Sequence, residues 1–85
     1  MFLESFYLVY PEGEVQEISN RLGFNMFVDM NGNPIQLPLK SHRTIVYRIY
    51  KISQKEKRGE NQYFYHLELV KGEELFRLAG TRSGQ

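Results

Sequence analysis

The chain holds two histidines, ten carboxylates and no cysteine. Thiol nucleophiles, thiolate metal sites and disulfides are therefore excluded together. His42 and His66 stand far apart with no acidic residue at ligand spacing, so each reads as a surface or hydrogen-bonded imidazole rather than a metal ligand. The run Asp29-Met30-Asn31-Gly32-Asn33 has the flavour of a calcium loop. Its glycine is at the fourth position instead of the sixth, however, and Lys40 occupies the place of the bidentate glutamate, so a hairpin turn is the better account.

Nucleophilic catalysis fares no better. It needs a nucleophile, a base within hydrogen-bond reach and a group that orients the base. Ser41 and His42 are adjacent, but neighbours on an extended chain point to opposite faces. Glu73 and Glu74 are explained by a helix start, and neither GxGxxG nor GxxxxGK[ST] occurs, so no standard phosphate cradle is present. The expectation is a protein that is not an enzyme and needs no cofactor. An active site assembled between subunits is the exception this reading leaves open.

The remaining chemistry is anion binding. Residues 1–39 hold one base, Arg21, against five acids, whereas residues 40–85 hold ten bases against five acids. The formal net charge of +1 averages this division away. Between positions 40 and 58, Glu56 is the sole acid among seven bases. Such a surface can neutralise phosphates while interleaved rings stack on bases. The candidate binding residues are Arg43, Arg48, Tyr50, Lys51, Lys55, Lys57, Arg58 and His66, with Tyr47 assigned to the core. The competing account is a solvated hairpin tip facing acids elsewhere in the molecule.

Elements must position these groups. Eighty-five residues, 41% apolar and 14% aromatic, suffice for one small domain with a real core. Residues 2–10 read as a strand stopped by Pro11-Glu12-Gly13. Val15, Ile18 and Leu22 at i, i+3 and i+7, followed by Gly23, favour a short helix over a return strand. Residues 24–30 and 35–39 read as strands about an Asn31-Gly32 type I′ turn, with Pro34 able to lengthen the loop and Pro38 keeping the second strand at an edge. Residues 43–52 and 63–70 form the central hairpin around a polar turn, 53–62. Symmetric pairing about Arg58 sets Ile52 opposite Phe64, Tyr50 opposite His66 and Arg48 opposite Glu68. Residues 73–79 read as a short helix, and 81–85 as a flexible tail.

The expected fold is mainly β: a small antiparallel barrel or curled sheet of four to five strands with one or two short helices, as one domain over 1–80. The opening ten residues lack a basic leader and are too short to span a bilayer, so a cytoplasmic setting without membrane contact is expected. Two functions follow. The first is a non-catalytic module contacting nucleic acid or another polyanion through the basic hairpin 43–62. The second is a protein–protein module or homodimer using an apolar sheet face or an edge strand such as 35–39.

Overall fold

The computed structural model describes residues 3–39 and 44–79. Five strands and one helix follow in chain order: β1 (Leu3–Val9), β2 (Val15–Ile18), β3 (Phe27–Val28), β4 (Tyr47–Lys57), β5 (Glu60–Leu69) and α1 (Glu73–Leu78). They form a single open sheet, ordered β2-β1-β5-β4-β3 and curled into a half-barrel. The mainly β, curled-sheet architecture expected from composition is what forms. Among the described residues β2 and β3 are its two edges, so the barrel alternative is not reached. One pairing departs from the antiparallel expectation. β1 runs parallel to β5, with Leu3 opposite Glu60 and Val9 opposite His66. A long excursion through β2, β3 and β4 separates these two strands in sequence, which is the connection a parallel pair needs.

The helix expected around residues 15–22 is instead a strand. Tyr10 N–H donates to Glu14 O at 2.8 Å, Gly13 takes φ 103°, and Val15–Ile18 folds back on β1. The i, i+3, i+7 spacing competed with an unpaired β1 edge, and the ladder won. Leu22 is buried all the same, in the loop that follows.

Period-2 alternation sorts the side chains. Phe6 and Leu8 of β1, Tyr65 and Leu67 of β5, Ile49 of β4 and Val28 of β3 share the inner face, where Tyr10 and Leu22 join them in one buried cluster. Leu8, Val28 and Ile49 have no exposed surface at all; burial of such a side chain contributes about 1.5–3 kcal/mol. The buried Tyr65 hydroxyl accepts the Leu22 N–H at 3.1 Å, so the ring's polar tip is satisfied and the loop is tied to β5. Ile49 exchanges backbone hydrogen bonds with Asn25 and Met26, at 2.9 and 3.0 Å, which holds the same loop against β4.

A second, smaller cluster of Leu39, Val46 and Val70 lies past one end of β4 and β5, with Phe27, Leu75 and Leu78 packed on it. Val46 and Val70 follow the parity of Arg48 and Glu68, so this cluster and α1 cover that end of the outer face. The helix itself matches its sequence signals: Glu73 and Glu74 open it and Arg77 lies in its last turn.

The turn expected at Asn31-Gly32 exists but is not type I′. Only Gly32 takes positive φ (85°), and Asp29 N–H donates to Asn33 O at 2.9 Å, leaving the three-residue loop Met30-Asn31-Gly32. This is the loop Pro34 was able to produce. The strand expected at 35–39 is reduced to an isolated Val28–Pro34 bridge and one hydrogen bond from Ile35 N–H to Phe27 O.

Candidate nucleic-acid interface

The β4–β5 hairpin decides which side chains reach the outer face. Residues 53–62, expected as a polar turn, are strand except for Arg58-Gly59, whose φ values of 50° and 80° match a two-residue type I′ turn. That turn fixes Lys57 opposite Glu60 and, outward from it, Lys55 opposite Gln62, Ser53 opposite Phe64 and Lys51 opposite His66. At the far end Arg48 pairs with Glu68 and Ile49 with Leu67, as the symmetric register expected. The two registers differ by one residue. A β-bulge between Ile49 and Lys51 absorbs the difference at Tyr50.

The bulge has a chemical consequence. In an unbroken strand the face of Arg48 would continue with Ile52, Gln54 and Glu56. After the bulge it continues with Lys51, Ser53, Lys55 and Lys57, while Ile52, Gln54 and Glu56 turn to the inner face opposite Tyr65, Tyr63 and Asn61. The expected Ile52–Phe64 and Tyr50–His66 pairings are thus replaced by Ile52–Tyr65 and Lys51–His66. The Tyr50 ring still meets His66, edge-on at 6.5 Å, and is 48% exposed.

The outer face is therefore a lysine column beside a ring platform. Lys51, Lys55, Lys57 and Arg58 are exposed, and none belongs to an ion pair among the described residues. In the next strand lie Gln62, Phe64 and His66, and beyond them Tyr7 of β1, in register with Phe64. The Tyr7 and Phe64 rings stack with centroids 5.1 Å apart and planes 17° apart. His66 Nε2 lies 3.0 Å from the Ser53 hydroxyl. Burial, and secondarily the charge of Lys51, holds the imidazole below its ordinary pKa of 6.5. This pairs a hydroxyl with a neutral imidazole, but among the described residues no carboxylate orients the ring, so the third member of a nucleophilic triad is missing.

Acids on this face are few and mostly engaged. Glu60 accepts a hydrogen bond from the Ser5 hydroxyl, and Glu68 and Glu74 both bind Arg48. Glu17, across from Tyr7 on the β2 edge, is exposed.

Two of the sequence candidates fall outside this group. Arg48 is on the right strand, but its guanidinium is taken up by Glu68, at 2.9 Å from Nε, and by Glu74 of α1, so it fastens the helix to the sheet. Arg43 lies outside the described residues. Tyr50, Lys51, Lys55, Lys57, Arg58 and His66 are brought together along one hairpin. Tyr47 packs against the core with its ring edge-on to Tyr10 at 5.4 Å, as assigned. Tyr7 and Phe64 were not singled out from the sequence. The signal that joins them is the parallel β1–β5 register, which local pattern does not encode.

No helix among the described residues is long and apolar enough to cross a membrane. No curated protein and no solved structure matches the chain. Residues 2–78, which span every strand and the helix, match a family described as "Uncharacterised Treponema protein", and the chain belongs to that family.

Proposed function

We propose that the chain is a cytoplasmic, non-catalytic binding module that takes a nucleic acid or another polyanion on the outer face of its β4–β5 hairpin. One observation carries this reading. The bulge at Tyr50 gathers Lys51, Lys55 and Lys57 onto the face of Phe64 and His66, in no ion pair among the described residues, and the turn adds Arg58. The arginines that serve the fold, Arg21 and Arg48, are each bound to glutamate. Cations in no ion pair among the described residues, beside the exposed Tyr50 and the half-buried Phe64 and His66, favour an external anion over an internal one.

The test is an anisotropy titration of a fluorescein-labelled uridylate 12-mer at two salt concentrations. Four cations neutralising four phosphates give a slope of about −3 in log K against log salt, or roughly 50-fold weaker binding at 200 mM than at 50 mM. Binding that is absent at 50 mM salt with about 100 µM protein contradicts the proposal.

A second reading, a protein partner or a second copy, is supported by the β2 edge, whose Val15 is exposed and whose outer side has no ladder partner among the described residues. It predicts a concentration-dependent mass in light scattering, and a constant monomer mass removes self-association.

A further inference from the structure

Resting on the polyanion reading above, we propose that the ligand is single-stranded nucleic acid, one base of which continues the Tyr7–Phe64 stack over Ser53, between Lys51 and Lys55. Tyr7, Phe64 and Ser53 are successive cross-strand partners on β1, β5 and β4. Tyr7 stacks on Phe64 from the β1 side, and among the described residues no second ring stacks on the half-buried Phe64 from the β4 side. The residue there is serine, the smallest side chain of the outward-facing column, with Lys51 and Lys55 two positions to either side. Small beside large leaves a ledge beside the Phe64 ring about one strand spacing wide, roughly 4.8 Å. His66 closes one end of it, with Nε2 3.0 Å from the Ser53 hydroxyl, and Tyr50 stands edge-on to the imidazole at 6.5 Å.

A ledge of this kind suits an unpaired base. A planar base stacks on Phe64 while the flanking phosphates meet Lys51 and Lys55, a combination that every base can satisfy and that does not require a sequence. Duplex nucleic acid keeps its bases stacked on one another and offers only phosphates. A bare polyanion such as heparin offers no ring at all. The rings therefore distinguish the ligand class, whereas the lysines alone do not.

The experiment compares four probes on the full chain at one salt concentration: a uridylate 12-mer, an abasic 12-mer with the same phosphates, a 12-base-pair duplex, and heparin. The expected result is binding of the uridylate about tenfold tighter than the abasic strand. Phe64→Leu should bring uridylate binding down to the level of the abasic strand. Ultraviolet cross-linking of a 5-bromouracil strand to the unaltered chain gives a readout independent of any variant's folding, with adducts expected at Phe64, Tyr7 or Tyr50. Equal, salt-sensitive binding of uridylate and abasic strands, with cross-links elsewhere, overturns the stacking proposal and leaves the polyanion reading standing. Tighter binding of the duplex or of heparin than of the uridylate does the same. Failure of all four probes to bind removes both.

Discussion

At the scale of single residues, the hydrogen-bonding tips of a few rings carry consequences out of proportion to their area. The Tyr65 hydroxyl is the partner of the Leu22 N–H deep in the core. Tyr65→Phe leaves that donor unsatisfied in an apolar setting, and a destabilisation of about 1–3 kcal/mol is expected in a urea melt. His66 gives a pH dependence. Its pKa is lowered in the fold by burial and by Lys51, so between the folded value and 6.5 the unfolded chain binds more protons. Its contribution to stability is therefore complete above pH 6.5 and is lost as pH falls through the folded value. Denaturant midpoints should fall over this acidic window, and His66→Gln, which has no charge to gain, should flatten that part of the profile. The anionic ligand reverses the preference, because a protonated imidazole beside Lys51 attracts phosphate.

At the scale of elements, the register conflict within the β4–β5 hairpin is the feature on which the site depends. A two-residue turn demands Lys57 opposite Glu60, the core demands Ile49 opposite Leu67, and one extra residue at Tyr50 satisfies both. Arg58 sits at φ 50°, a conformation asparagine adopts more readily. Arg58→Asn should thus raise the melting temperature by a few degrees while removing one charge from the tip. Gly32 provides a contrast between turns. A Cβ there would lie 2.5 Å from Leu8 Cδ1, whereas one on Gly59 would meet nothing within 4 Å, though both positions have positive φ. Gly32→Ala should therefore cost clearly more than Gly59→Ala, whose penalty is about 1–2 kcal/mol of backbone strain. Much of this was legible in sequence: the long central strands, Arg48 opposite Glu68, the closing helix and the basic hairpin. The bulge was not, because alternation in 43–52 is apolar on both parities and so does not reveal a one-residue slip. β2 was misread because four residues of strand and two turns of helix share the spacing of Val15 and Ile18. The Tyr7–Phe64 stack depends on a parallel pairing across more than fifty positions, which only the folded chain supplies.

At the scale of the molecule, the division of charge seen along the chain persists in space. Glu4 is bound by Arg21, whose guanidinium also lies over the Phe6 and Tyr63 rings at 5.4 and 5.2 Å and closes the inner face at that end. Glu12, Glu14 and Glu17 remain with β1 and β2, while Lys51, Lys55 and Lys57 of β4 stand beyond β5 and belong to no ion pair among the described residues. The inner face is filled by the main core, and α1 covers one end of the outer face, leaving the rings and lysines of the remainder open among the described residues. The direct test is the salt dependence of uridylate 12-mer binding for the unaltered chain and for the triple variant Lys51→Ala, Lys55→Ala, Lys57→Ala, with circular dichroism confirming the fold of both. Removing three phosphate contacts should make the slope of log K against log salt shallower by about 2. A slope unchanged by the three substitutions would contradict the assignment of the lysine column as the binding surface.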